Sequence, residues 1–193
     1  MRRRQPSLYR NVRLVLALIV IAIGIFYRLF PEYKPPAVQT IQPVQPVQTQ
    51  ISGDLTVSRV IDGDTVVLSD GEKLRLIGVD TPESSGNPKL IRDVKKSGQS
   101  KEFLKKLGKI AKSKTEAIVQ GKKVRIETDV QSRDRYGRLL GYLYLQDDGT
   151  FVNAQMLKEG YAQVMSIPPN VKYQDLFLEL QQEARKDRRG FWA

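Results

Sequence analysis

Carboxylates and one arginine gather between Asp62 and Glu83. The stretch reads Asp62-Gly63-Asp64-Thr65, a short strand, an Asp70-Gly71 turn, then Arg75-Leu76-Ile77-Gly78-Val79-Asp80-Thr81-Pro82-Glu83. The charged residues sit at or near strand ends, where turns can bring them together. Short β-branched runs, Thr65 to Leu68 and Leu74 to Val79, supply rigid support. Hard oxygen ligands beside a guanidinium suit a divalent cation and an anionic substrate, a phosphodiester above all. A second basic cluster, Arg133-Asp134-Arg135-Tyr136-Gly137-Arg138, begins about fifty residues on and could complete such a site.

Each of these residues also has an ordinary structural reading. Asp62-Gly63 suits a tight turn with or without metal, although that leaves Asp80 and Glu83 unexplained. Taken singly, Arg75 and Arg138 could each form a surface salt bridge. The chemistry that would use them is hydrolysis of a phosphodiester, whose transition state gathers negative charge on the equatorial oxygens. Permanently charged, forked guanidinium groups meet that charge bidentately. Asp64 and Asp80, sixteen residues apart, lie at the ends of strands that could be neighbours. Two carboxylates, a backbone carbonyl and several waters would make a calcium site of modest affinity.

Asp62 to Thr65, Arg75 with Val79-Asp80-Thr81-Pro82-Glu83, and Asp134 to Arg138 resemble the three motifs of the staphylococcal (micrococcal) nuclease, or thermonuclease, family. They stand in the same order at similar spacing, and the likeness covers roughly residues 54 to 193. The resemblance implies calcium held by Asp64, Asp80 and the carbonyl of Thr81, with Asp62 just outside the ligand shell. It makes Glu83 the catalytic glutamate, commonly drawn as the base that activates water, with Arg75 and Arg138 as its catalytic partners. Arg135 and Tyr136 match positions that contact a substrate phosphate. The sequence departs from the family at Met165-Ser166-Ile167-Pro168-Pro169, where no aromatic stands ready to stack near a base. The loop after Glu83 differs as well.

Composition sharpens this reading by exclusion. The chain carries 32 Lys and Arg against 21 Asp and Glu, a formal charge of +11, and no histidine or cysteine. That removes Ser-His-Asp and Cys-His catalysis and zinc sites of the usual Cys/His kind. Any general base must be Glu, Asp, Lys, Tyr or a metal-bound hydroxide. Residues 1–53 have a net charge of +6 and residues 54–193 of +5. The second part is moderately basic, as expected of a domain that meets nucleic acid.

Ahead of that domain, five arginines (2, 3, 4, 10 and 13) precede an apolar run from Leu14 to Tyr27, followed by Arg28, Leu29 and Phe30. This is the order of an export signal. A helix over Leu14–Phe30 would reach about 25 Å, close to a bilayer core of about 30 Å, and Arg28 could snorkel to the interface. The only tidy small-x-small pattern, Ala22-Ile23-Gly24, falls inside the apolar run, so residues 1–30 read as an uncleaved signal-anchor. The positive-inside bias leaves the rest outside the cytoplasmic membrane; cleavage would instead release a secreted protein. Residues 31–52, rich in Pro and Gln, read as an extended spacer able to reach about 60 Å.

From Leu55 the pattern turns to strands: Leu55 to Ile61, Thr65 to Leu68 and Lys73 to Val79, joined by Asp-Gly turns. Ser84 to Ser100, with Gly86, Pro88 and Gly98, reads as a mobile loop. Phe103, Leu107, Ile110, Ala111 and Ile118 recur at helical spacing, which predicts a helix over about Lys101 to Gln120. Its lysines read as a solvated face. Two more strands, Val124 to Glu127 and Leu139 to Leu145, and two more helices, Val152 to Glu159 and Tyr173 to Asp187, complete residues 53–193. The periodicity alone gives a mainly β, α+β domain. The resemblance makes it a five-stranded OB-fold-type barrel with about three helices.

The expected function is therefore that of a calcium-dependent endonuclease, monomeric and tethered to the membrane. It would act on DNA and RNA without regard to the sugar and leave 3′-phosphate ends. Its rival is a non-catalytic OB-fold module, anchored likewise, that binds nucleic acid or protein. A membrane-anchored scaffold, in which every charge is solvation, explains the three motifs least well.

Overall fold

Three turns set the path of the chain through the site-bearing region. Gly63-Asp64 joins strand β2 (Val57–Asp62) to β3 (Thr65–Leu68), and Asp70-Gly71 joins β3 to β4 (Lys73–Leu76). At Gly78 (φ +79°) the chain leaves β4 and enters β5 (Gly78–Asp80). The computed structural model describes residues 55–193, Gln50–Ile51, and positions 15, 16, 18, 20, 21, 25, 28 and 29. Those eight N-terminal positions are helical and exposed; the rest of the expected signal-anchor lies outside the described residues. Among the described residues no helix is long and apolar enough to cross a membrane. Of the expected spacer only Gln50–Ile51 is described, as a short strand, β1, paired with Glu127 and Ile126.

The remaining elements are helix α1 (Pro88–Ser97), α2 (Lys101–Val119), β6 (Val124–Glu127), β7 (Leu139–Leu145), α3 (Val152–Lys158), β8 (Gln163–Met165), α4 (Gln174–Lys186) and a final 3₁₀ turn, Gly190–Trp192. Six strands form one sheet in the order β1-β6-β7-β4-β3-β2, and β5 pairs with β8 in a second, two-stranded sheet. The β4–β7 pairing is parallel, and the other strand pairings are antiparallel.

This mainly β, α+β domain corrects the expectation in two respects. First, the six-stranded sheet is not closed into a barrel. Isolated bridges, Thr56 to Lys123 and Val57 to Gln120, draw β2 toward the chain leading into β6, but no ladder joins the two edges. Second, residues 55–193 hold four α-helices, because the expected loop at Ser84 to Ser100 contains α1. The residues that read as helix breakers are its caps. The Asn87 side chain accepts from Leu90 N at 2.9 Å, Pro88 occupies the first turn, and Gly98 ends the helix.

Packing explains why the strand ends are fixed. Val57, Val66, Leu74, Ile126, Leu143, Met156, Leu157 and Phe177 are buried almost completely. Each such side chain contributes about 1.5–3 kcal/mol relative to exposure. Helix α2 lies against the β2–β3 turn, where Thr115 Oγ1 donates to Gly63 O at 2.7 Å. Gly108 on the same helix meets the backbone of Glu83 so closely that a Cβ there would stand 2.3 Å from the Glu83 carbonyl carbon. At Gly78 a Cβ would stand 2.4 Å from the Phe177 ring, so α4 presses on the turn that sends Asp80 away from β4.

Candidate active site

The hairpin register places Thr65 opposite Arg75, which brings the start of β3 and the middle of β4 together. Asp64, just before β3, is buried and fully engaged. Its Oδ2 accepts from Thr81 N at 2.9 Å and Thr81 Oγ1 at 3.0 Å, and its Oδ1 from Thr65 Oγ1 at 2.9 Å. Arg75 spans the two aspartates: Nη1 pairs with Asp64 Oδ1, and Nη2 donates to Asp80 Oδ1 at 2.8 Å. Burial lowers the Arg75 guanidinium from its ordinary value; Asp80 opposes that effect and the charge of Arg138 adds to it. It remains a cation, because arginine is not deprotonated in proteins.

Glu83 is buried behind Pro82, with its backbone backed by Gly108 of α2. Its Oε2 accepts from Asn87 Nδ2 at 2.5 Å, and its Oε1 lies 3.0 Å from Lys89 Nζ. Asp62 turns to the chain beyond the site. It accepts from Ser84 N at 3.2 Å and Ser84 Oγ at 2.5 Å, which ties down the chain leaving Glu83.

Arg138 stands just before β7, the parallel neighbour of β4. Asp134 organises that approach: its Oδ2 accepts from Arg138 Nε at 2.8 Å and pairs with Arg138 Nη2 at 2.7 Å, while its Oδ1 accepts from the backbone of Tyr136 and Arg138. Burial alone would raise the Asp134 carboxyl, but these hydrogen bonds outweigh it and hold the group below its usual range. Arg135 and Tyr136 lie on the exposed turn, where Arg135 Nη2 donates to Tyr136 Oη at 2.7 Å.

Of the residues expected to form the site, the structure thus brings Asp64, Arg75, Asp80, Thr81 and Glu83 together. It holds Arg138 at the neighbouring strand end and leaves Arg135 and Tyr136 on the surface.

The sequence reading missed Lys89, Asn87 and Asp93. Lys89 Nζ lies 2.7 Å from Thr81 O, 3.0 Å from Glu83 Oε1 and 3.2 Å from Asp80 Oδ1. Asp93 lies one helical turn further on. Burial pushes its carboxyl up, and Lys89 opposes that rise. Asn-Pro ahead of a helix was the one local signal available, since it places the following lysine in the first turn, beside whatever caps the helix.

The donor chemistry fits a hard cation. Asp64 and Asp80 share the Arg75 guanidinium, and Asp80 shares the Lys89 ammonium with the Thr81 carbonyl, so these oxygens already accept cations. Among the described residues no three or more His, Cys, Asp or Glu side chains form a group able to hold a metal, so protein side chains would supply only part of a shell. A cleft of about 280 Å³ opens beside the bay, lined by Asp80, Thr81, Asp93, Lys96 and Gln163 among others. A larger hollow of about 430 Å³, between Lys106, Lys109, Ser113 and Lys114 on α2, has neither carboxylate nor arginine in its lining and does not suit this chemistry.

Fold and site together define a small basic α+β domain with an oxygen-lined, arginine-bearing bay at its strand ends. The family profile described as "Staphylococcal nuclease homologue" matches residues 73–193. The thermonuclease of Staphylococcus intermedius is 34% identical over 184 residues, covering 93% of this chain and 98% of that protein. The thermonuclease of Staphylococcus hyicus is 38% identical over 140 residues, covering 71% of this chain and 74% of that one. Endonuclease YncB of Bacillus subtilis (strain 168) is 35% identical over 145 residues, covering 72% of this chain and 62% of its own length. The chain belongs to the staphylococcal nuclease family.

Proposed function

We propose that this protein is a calcium-dependent, sugar-nonspecific endonuclease that hydrolyses phosphodiesters of DNA and RNA and leaves 3′-phosphate ends. Family membership and the named activities of its relatives make it a hydrolytic nuclease. The observation that carries the finer reading is the convergence of Asp64, Arg75, Asp80, Thr81 O and Glu83. Asp64, Asp80 and the Thr81 carbonyl would hold calcium, which would bind a phosphate oxygen and draw charge from phosphorus.

The protein's own groups do the rest. Glu83, fixed by Asn87 and by its buried backbone, takes a proton from the attacking water. Arg75 meets the equatorial oxygens as their charge grows, and Arg138 joins it by exchanging Asp134 for phosphate. The P–O5′ bond breaks as the water oxygen bonds to phosphorus, and the departing 5′-oxygen takes a proton from solvent water, to which Glu83 afterwards returns the one it took. Arg135 and Tyr136 engage a neighbouring phosphate from the exposed turn. We place this domain outside the cytoplasmic membrane, tethered by the N-terminal segment, on the strength of its arginine-flanked apolar run.

Degradation of plasmid DNA and of RNA tests the reading. Both should be cut in calcium at millimolar or somewhat lower concentration, poorly in magnesium, and not in chelator. Full activity in chelator would remove calcium from the scheme. A protein that binds DNA in calcium and never cuts it is a non-catalytic nucleic-acid-binding module instead.

A further inference from the structure

Lys89 is poorly placed for a surface lysine and well placed for a cation. Its ammonium has three N–H donors, and three oxygens stand within reach: Thr81 O at 2.7 Å, Glu83 Oε1 at 3.0 Å and Asp80 Oδ1 at 3.2 Å. Two of the three, on Asp80 and Thr81, are atoms that the proposed calcium would use. Asp80 Oδ1 already carries Arg75 Nη2 at 2.8 Å, so calcium–oxygen distances of about 2.3–2.6 Å leave no room there, or on the Thr81 carbonyl, for Lys89 as well. The ammonium and the metal are therefore alternatives.

The local structure lets them exchange. Helix α1 is pinned without help from the Lys89 side chain: Leu90 is completely buried, and Asn87 both caps the helix and donates to Glu83. The lysine stem is partly exposed and flexible, so the ammonium can swing out while the helix stays in place.

We propose that Lys89 is the resident cation of this bay. In the metal-free protein it holds Asp80, Thr81 and Glu83 in their assembled arrangement, and a divalent cation enters only by expelling it. The apparent metal affinity is then the intrinsic affinity reduced by the fraction of molecules in which Lys89 is out. This rests on the calcium reading above.

The test is calcium titration by calorimetry on the full chain, for the parent, Lys89→Met and Lys89→Arg. Lys89→Met keeps much of the stem without the charge and should bind calcium about 3- to 10-fold more tightly, while Lys89→Arg stays near the parent. Thermal unfolding separates this from a purely structural role. Lys89→Met should lower Tm without calcium and leave it unchanged at saturating calcium, whereas loss of mere helix support would lower both. A direct readout on the parent covers the case in which the variant does not fold. By nitrogen-detected NMR of the lysine ammonium groups, Lys89 should be protected from exchange without calcium and lose that protection when calcium is added. Equal or weaker calcium binding by Lys89→Met, or a Lys89 signal indifferent to calcium, overturns the proposal. Failure of parent and variant alike to bind calcium overturns the calcium reading itself, and this proposal with it.

Discussion

Two clusters of buried ionisable groups can be compared directly. One is the bay of Asp64, Asp80 and Glu83. The other lies on β6 and the chain after it, where Glu127 and Asp129 are as buried as Asp64 and Glu83, and more so than the half-buried Asp80. There Asp129 accepts from Tyr142 Oη at 2.8 Å, Val130 N at 2.9 Å and Lys172 N at 3.1 Å. Glu127 pairs with Lys172 Nζ at 2.5 Å and accepts from Tyr144 and Tyr173 hydroxyls at 3.2–3.3 Å. The partners are mostly phenols packed edge-on in an aromatic cluster, and backbone amides. In the bay, the partners of Asp80 and Glu83 are chiefly Arg75, Lys89 and Asn87. Burial of a carboxylate is thus not itself a mark of catalysis. What differs is what stays behind when a cation leaves. Glu127 gives up Lys172 and keeps two phenols, and Asp129 keeps a phenol and two backbone amides. Asp80, in contrast, is held chiefly by Arg75 and Lys89, which an incoming cation or phosphate can replace.

That contrast predicts activity without stability on one side and stability without activity on the other. The largest effect should come from Glu83→Gln, which keeps the size and one of the two acceptor oxygens but removes the base. The kcat should fall about 10²- to 10⁴-fold with the fold intact by circular dichroism and DNA still bound. Arg138→Lys loses the fork and keeps the charge. Its kcat should drop about 10²-fold or more with KM little changed, whereas a loss confined to KM would reduce Arg138 to an anchor. If both variants digest DNA at the parent rate, the site lies elsewhere.

Next in size, Asp129→Ala removes the acceptor of one buried and two partly buried donors and should cost about 2–4 kcal/mol by denaturant unfolding. The specific activity of the folded fraction should be unchanged. A catalytic defect at full stability would erase the distinction between the clusters.

A smaller effect should appear at alkaline pH. Burial, reinforced by Asp129 for Tyr142 and by Tyr173 for Tyr144, raises both phenols above the ordinary tyrosine range. The folded chain therefore keeps protons that the unfolded chain releases above about pH 10. This contribution is complete below that pH and is lost as pH climbs beyond it. Melting curves from neutral to strongly alkaline pH should show the decline, and Tyr142→Phe should flatten it. The smallest change is expected for Glu72→Gln, which breaks the exposed pair with Arg133 Nη1 at 2.8 Å. No measurable shift in Tm or rate should follow.

The charged motifs were legible because their chemistry is local: Asp64, Arg75, Asp80 and Glu83 stand at strand ends that short β-branched runs announce. Helix α2 was legible from its apolar spacing. Helix α1 was not, because its apolar face is only Leu90, Ile91 and Val94 within ten residues, of which Leu90 alone is buried. Its caps, Asn87-Pro88 and Gly98, use the same residues that loops use. Strand β8 is three residues long, too short for periodicity to register. The open sheet was illegible for another reason. Its edges depend on which distant strands pair, and the parallel β4–β7 contact has no signature in either strand alone. Lys89 escaped notice because its importance lies in what its tip reaches.

The strand that carries Asp80 pairs with no neighbour in the chain. β5 finds its partner only in β8, where Asp80 stands opposite Gln163, and the ring that closes against Gly78 belongs to Phe177, ninety-nine residues later. During synthesis, Asp64, Arg75 and Glu83 therefore emerge from the ribosome well before the pieces that aim Asp80 at them. A nascent chain, or one cut short before β8, carries every motif and lacks the assembled bay. Order of manufacture thus delays the assembled site until the last third of the domain is complete.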